Sequence, residues 1–207
     1  MSTTDAETGF NNDELFDRIA AALGVAVLAP LIALIALLVK LDSPGPVLFK
    51  QKRIGVKESQ FTTYKFRTMR NNAHKEWHPP QRVNDFGSFV FHSIWPDKRI
   101  TRLGQILRTS SLDELPQLFN VVRGDMRLVG PRPDEPYLVE QYRPEFHRRH
   151  EVKPGITGLA QVNGRSDLTY SQMMAYDLEY VDHHSFRLDL SILARTLAVV
   201  VRKEGAR

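Results

Sequence analysis

Polar and apolar positions divide the chain into two regimes. From Ile19 to Val39, twenty-one consecutive residues carry no charge, between Arg18 and Lys40. Downstream of Asp42 the apolar residues fall into short runs broken by charge, proline and glycine. The uncharged stretch predicts a helix of roughly 31 Å, enough to cover a bilayer's hydrocarbon core. Pro30 near its middle removes a backbone donor and crowds the preceding turn, so a kink or break is expected there. Both flanks are positive and the preceding segment, Met1 to Phe16, is short and acidic, so the charge bias does not favour a crossing. A helix-break-helix that dips into one leaflet and returns fits as well as a bent span, and an ordinary transmembrane anchor stays open. A soluble-core helix fits less well, because the stretch is apolar all round. Leu41-Asp42-Ser43-Pro44-Gly45-Pro46 reads as a turn with no cleavage site, which argues against a removable signal peptide.

Beyond that turn, Pro46 to Ile54, Gly55, and Gln60 to Phe66 predict a β-hairpin from their Val, Ile, Phe, Tyr and Thr content. Residues 70–98 read as a long loop, with a short strand at Phe89 to Ile94. Helices are expected over Ile100 to Leu107, Ser111 to about Val122 with Gly124 as the stop, Asp134 to Arg149, Leu168 to Val181, and Ser185 to Val201. In the last, Phe186, Leu190, Leu193, Leu197 and Val200 recur at helical spacing, which suits an interfacial helix or one packed on the core. Gly130-Pro131-Arg132-Pro133 predicts a rigid turn, and Lys153 to Arg165 a glycine-rich loop able to present N–H groups to an anion.

Composition narrows the partners. The 207 residues leave about 165 for one globular domain beyond the apolar segment. No cysteine is present, which excludes disulfides, thiolate metal sites and cysteine nucleophiles. A net charge of +4 suits anionic headgroups or phosphorylated substrates better than nucleic acid, since a membrane-embedded segment would hold the domain away from it.

The candidate chemistry gathers between Ile100 and Pro133, where five arginines (102, 108, 123, 127, 132) accompany three acids (Asp113, Glu114, Asp125). Ser111-Leu-Asp-Glu114 matches a capping box, which would spend Glu114 on the helix start and place Asp113 at the second helical position, where the dipole favours its ionised form. Among arginines, the same pair of carboxylates could instead hold Mg²⁺ on a diphosphate or offer a nucleophile to phosphorus. A solvated ion-pair surface accounts for the spacing equally well. His147 and His150 at i, i+3 and the adjacent His183 and His184 match no metal-ligand spacing and read as solvated or phosphate-adjacent.

Three long motifs then align in order: Thr109-Ser-Ser-Leu-Asp-Glu-Leu-Pro-Gln-Leu-Phe-Asn120, Gly124-Asp-Met-Arg-Leu-Val-Gly-Pro-Arg-Pro133, and Val152-Lys-Pro-Gly-Ile-Thr-Gly-Leu-Ala-Gln-Val-Asn-Gly-Arg165. They resemble the bacterial sugar transferases, the monotopic polyprenyl-phosphate sugar-1-phosphate transferases or phosphoglycosyl transferases. The likeness runs from about Leu15 to the C-terminus, including Gly45 to Gly55 and Lys65-Phe-Arg-Thr-Met69, and looks like the minimal catalytic form. It implies a helix-rich α+β fold: a polar tail (1–14), a re-entrant membrane helix hairpin broken at Pro30 (15–41), and a catalytic domain (42–207) with a small β-hairpin and interfacial helices. Ala29-Pro30 replaces the family's frequent Ser-Pro at the break.

The resemblance further implies that Asp113 is the nucleophile and Glu114 its acidic partner, both toward Mg²⁺. Arg108 and Arg132 match phosphate-binding arginines. The remaining substrate-binding expectations are Pro131, Pro133, Arg67, Lys153, Thr157, Gln161, Asn163, Arg165 and Asp177. A UDP-sugar would give its sugar phosphate to Asp113 with release of UMP, and polyprenyl (undecaprenyl) phosphate would collect it, starting a surface glycan such as an exopolysaccharide, O-antigen, capsule or glycoprotein glycan. The expected place is the cytoplasmic face of the bacterial inner membrane, among membrane lipids and without nucleic acid, as a monomer or homodimer. Residues 70–98, the least family-like, are expected to tune sugar choice. A non-enzymatic membrane scaffold using its arginines for headgroups is the competing class, and direct transfer in a ternary complex the competing mechanism.

Overall fold

The structure, a computed structural model, describes residues 4–71, 73, 97–164 and 167–202, with side chains from residue 12 to 200. The strand expected at Phe89 to Ile94, most of the 70–98 loop, and Arg165 lie outside the described residues. The fold is helix-rich α+β with two small sheets.

Helix α1 spans Thr4–Asp42 and continues across Pro30. Proline costs a helix about 3 kcal/mol, and here packing holds both sides of it. Ala21, Ile35 and Val39 are fully or almost fully buried, at near-helical spacing, against the rest of the domain. Ala21 joins Val121 and Met126; Ile35 and Val39 join Phe66 and Leu107. The opposite face leaves Leu15, Ile19, Leu23, Val27, Leu34, Leu37 and Leu41 exposed, Val27 by 77%. One stripe of the all-round apolar helix is therefore covered by protein and the other is bare. Both ends are also tied down. Near the start, Asp17 pairs with Arg127 at 2.7 Å, Arg18 donates to the Val122 carbonyl, and Glu14 pairs with Lys153. At the end, Arg67 donates to the carbonyls of Val39, Ser43 and Pro46.

The hairpin forms as its pattern predicts: β1, Leu48–Ile54, pairs antiparallel with β2, Gln60–Phe66, and Leu48 lies opposite Phe66. Helix α2, Arg102–Thr109, is capped by Thr101 and presses so closely on β2's continuation that a Cβ on Gly104 would meet the Thr68 carbonyl oxygen at 2.0 Å. Only glycine fits there. The next helix does not begin at Ser111. Ser111 is left-handed (φ 57°) and makes no capping bond; Leu112–Glu114 is a single 3₁₀ turn, and α3 covers only Gln117–Arg123. Pro116 lacks an N–H and stands where helical bonding would have to start, so the capping-box match at Ser111 and Glu114 fails. Among the described residues a capping box lies at Thr169 and Gln172, opening α6, Tyr170–His183.

The stop at Gly124 holds, with φ 86°. Beyond it, β3, Arg127–Val129, pairs in parallel with β4, Gly155–Thr157. The single helix expected over 134–149 is instead α4, Pro136–Val139, followed by a 3₁₀ segment, Pro144–Glu151, because prolines punctuate it twice. Short α5, Leu159–Val162, leads to α6 and then α7, Phe186–Arg202. In α7, Ile192 is buried in the core with Val129 and Tyr180, whereas Phe186, Leu190 and Leu197 stay exposed. Arg127 joins both terminal helices to the sheet by pairing with Asp17 and with Asp189 of α7, all three nearly buried.

Candidate active site

The turn after β3 is held with unusual completeness. Four successive carbonyls each accept a hydrogen bond: Pro131 from the Gly155 N–H, Arg132 from Arg149, Pro133 from Arg53, and Asp134 from the Ile54 N–H. The two prolines fix φ on either side of Arg132, so its backbone has little freedom left. The anchor beneath is a buried ion cluster. Asp134 accepts from the Tyr142 and Tyr170 hydroxyls at 2.6 Å and from Arg149, which also pairs with Asp177 at 2.6 Å. Burial first, then nearby Asp134, pushes the Asp177 carboxyl up to about 6 despite that pairing.

From this turn the Arg132 side chain reaches back to the 3₁₀ turn at Leu112–Glu114. Its Nη2 and the Nζ of Lys65 meet the same oxygen of Glu114, at 2.7 and 2.6 Å. Lys65 comes from β2, on the face it shares with buried Thr63. Burial works against ionisation of Glu114, but Arg132 and Lys65 together overcome it and hold its carboxyl well below the usual range. Arg132 is correspondingly raised, chiefly by Glu114. Glu114 thus organises two cations and caps no helix.

Asp113 is different. Among the described residues no hydrogen bond reaches its carboxylate, although Lys65, Arg108 and Arg132 all act on it electrostatically. Burial first, then the adjacent Glu114 charge, pushes its carboxyl up to about 6, the three cations pulling the other way. The expectation that a helix dipole keeps Asp113 ionised is therefore corrected: it lies in a 3₁₀ turn, not at a helix N-terminus. Arg108 completes the group, steadied by a 2.9 Å bond from its Nε to Thr68, the residue against which Gly104 packs.

The arrangement offers an unpaired carboxylate, a second carboxylate neutralised by two cations, and cationic side chains for anionic oxygen. A hard divalent cation fits the donor set: Asp113 has a carboxylate in need of a counter-charge, and oxygen ligands suit Mg²⁺. Glu114 is the weaker ligand of the two, since Lys65 and Arg132 share one of its oxygens and Arg132 Nη1 donates to the other at 3.4 Å.

The other expected site residues are distributed elsewhere. Pro131 and Pro133 hold the Arg132 turn, and Asp177 supports it through Arg149. Arg67 is 8% exposed and spends its guanidinium on the carbonyls that end α1. Lys153 pairs with Glu14, Thr157 exchanges a hydrogen bond with Thr196, and Asn163 bonds Leu159 and Arg195. Gln161 is half-buried, and among the described residues its two shielded side-chain polar atoms have no hydrogen-bond partner. In the glycine-rich loop, the Gly155 N–H donates to the Pro131 carbonyl, and the Thr157 carbonyl accepts from the Gly130 N–H. Lys65, Arg53 and Arg149 were absent from the expected set, and strand alternation turns Lys65 away from the face of its neighbours Tyr64 and Phe66.

The bacterial sugar transferase family model matches residues 10–203. The chain is 41% identical over 200 residues to the UDP-glucose:undecaprenyl-phosphate glucose-1-phosphate transferase of Caulobacter vibrioides, covering 93% of this chain and 70% of that protein. It is 42% identical over 193 residues to the exopolysaccharide production protein PSS of Rhizobium leguminosarum, covering 88% and 91%. Over 197 residues it is 38% identical to the UDP-N-acetylgalactosamine-undecaprenyl-phosphate N-acetylgalactosaminephosphotransferase of Aeromonas hydrophila, covering 92% of this chain and 44% of that protein.

Proposed function

Because the chain belongs to the bacterial sugar transferase family, we infer that it is a polyprenyl-phosphate sugar-1-phosphate transferase, acting on a UDP-sugar and undecaprenyl phosphate. The names of its relatives support those substrates, and one of them supports a place in exopolysaccharide production. The observation that carries the mechanism is the Asp113 carboxylate, which accepts no described hydrogen bond yet stands within the field of Lys65, Arg108 and Arg132.

An Asp113 oxygen attacks the sugar-bearing phosphorus; the bond from that phosphorus to the bridging oxygen breaks, and UMP leaves with the electron pair. The polyprenyl phosphate oxygen then attacks the same phosphorus, and the Asp113 carboxylate departs. One phosphoanhydride replaces another, so no further energy source is needed. Arg132 and Arg108 bind and orient the diphosphate and offset the repulsion between anions, the main barrier to the first step. Lys65 and Glu114 fix Arg132 in place. Magnesium, when bound, would be held by Asp113 and Glu114 and would supply further charge neutralisation to the diphosphate.

The bare apolar stripe of α1 is the surface for lipid, and the protein-covered stripe sets its orientation. Both ends of α1 are bonded to the catalytic domain, which favours a helix bedded in one side of the bilayer, kinked at Pro30, over one that crosses. The domain then lies at the cytoplasmic face of the inner membrane.

Intact-protein mass after brief exposure to UDP-sugar without lipid acceptor tests the mechanism. The protein gains one phosphoryl-sugar, mapped by proteolysis to the peptide containing Asp113. Full turnover without such an adduct would establish direct transfer instead.

A further inference from the structure

A second group of ionisable side chains assembles apart from Asp113, where the connection between β1 and β2 meets the 3₁₀ segment Pro144–Glu151. Lys57 and Glu58 both have positive φ, 51° and 58°. Non-glycine residues hold that conformation only where their surroundings require it. It aims Glu58 at His147, whose Nδ1 lies 2.6 Å from Glu58 Oε1; His150 Nδ1 lies 3.8 Å from the same oxygen. In a 3₁₀ helix, side chains three apart eclipse, so His147 and His150 project together. One ligand atom from each of the three residues falls within 4.8 Å of the others.

The hydrogen bond to His147 does not account for the whole group. His150 is only 7% exposed, and among the described residues its Nδ1 has no hydrogen-bond partner. A buried imidazole nitrogen left unsatisfied beside a carboxylate is costly unless something else binds it. Its ring is held for that purpose, stacked on Tyr142 with centroids 5.8 Å apart and planes 4° apart, while Tyr142 meets the His147 ring edge-on at 5.5 Å. A cleft of ≈ 420 Å³, lined also by Pro144, Arg148 and Glu151, opens in front of the group.

We propose that Glu58, His147 and His150 bind a divalent transition metal of the zinc class, with a remaining position open to the cleft. Two imidazoles and one carboxylate suit Zn²⁺ and its neighbours, whereas Mg²⁺ prefers oxygen alone. The ion staples the β1–β2 connection to the 144–151 segment. Sequence spacing could not reveal it, because the third ligand comes from 89 residues before the first histidine.

The test uses the full chain in detergent or nanodiscs, stripped by chelator and titrated with ZnCl₂ and CoCl₂. A single equivalent of zinc should bind at micromolar strength or better and raise the apparent melting temperature, and cobalt should give visible d–d absorption. His147→Ala and Glu58→Gln, both at sites exposed enough to spare folding, should each weaken zinc binding at least about tenfold. Joint replacement of His183 and His184 by alanine should leave it unchanged. Absence of saturable zinc binding by the folded protein overturns the proposal, as does binding unaltered in both ligand variants.

Discussion

Arg149 donates through Nη2 to the backbone carbonyl of Arg132 at 2.6 Å. The guanidinium at the centre of the domain's buried ion cluster thus holds the chain of the residue that clamps Glu114. Stability and site geometry pass through the same side chain, and variants here should show both effects.

Arg149→Lys keeps the charge but not the fork, so it cannot reach Asp134, Asp177, Tyr142 and the Arg132 carbonyl together. The expected loss is about 3 kcal/mol, a fall in melting temperature of about 6–12 °C. Turnover should also drop at temperatures where the variant is fully folded, because the Arg132 turn loosens. A melting temperature within a degree of the parent would show that the cluster is redundant.

Glu114→Gln keeps the shape of the side chain but leaves Lys65 and Arg132 without their shared counter-charge. The three side chains are 17%, 18% and 38% exposed, so about 2 kcal/mol is expected, below the cost of breaking a fully buried pair. Asp113 should become more acidic, having lost a negative neighbour and gained a larger share of two cations. Adduct formation should therefore persist to lower pH than in the parent, read by single-turnover UMP release.

The parent's own pH profile follows from the same group. Asp113 attacks only when ionised, and its carboxyl is pushed up to about 6. UMP release in the first half-reaction should fall as pH drops below about 6, approaching tenfold per unit. A flat profile down to pH 5 would remove Asp113 as the ionising nucleophile.

Asp113→Asn should form no adduct, yet melt higher than the parent at pH 8. The sign is fixed by the direction of the shift: a carboxyl whose folded-state value is raised stabilises the fold below its unfolded value near 4, and that contribution is lost as pH rises through about 6. Asparagine removes the charge that burial penalises, so its advantage appears above pH 6 and vanishes toward pH 4. A gain of about 2–4 °C is expected, the equivalent of about 1 kcal/mol in a chain of this length.

Local pattern carried the hairpin and the last two helices, where alternation and helical spacing are backed by packing on one face. It failed where a proline outvoted a motif. Ser111 and Glu114 stand at capping-box spacing, but Pro116 forbids the helix that would use them, and Pro136 and Pro144 divide what reads as one charged helix. The motifs brought Asp113, Glu114, Arg108 and Arg132 into one expected set, and the structure draws these four together. Arg67 and Lys153 belong to the same motifs but turn toward α1, because the direction of a long side chain depends on which distant carbonyl or carboxylate lies nearby. Lys65 escaped notice for the converse reason: on a strand it reads as solvated until the 112–114 turn closes over it.

Helix α1 has a practical consequence through Ala21, Ile35, Val39 and Asp17. Cutting the chain after Asp42 to make a detergent-free fragment would strip a wall from the domain, baring Phe66, Leu107 and Val121 and leaving Arg127 with Asp189 alone. Such a fragment should precipitate. A water-soluble version has to be made by repainting the helix: polar residues at Leu23, Val27, Leu34 and Leu37 change what the surface dissolves in and leave the wall standing.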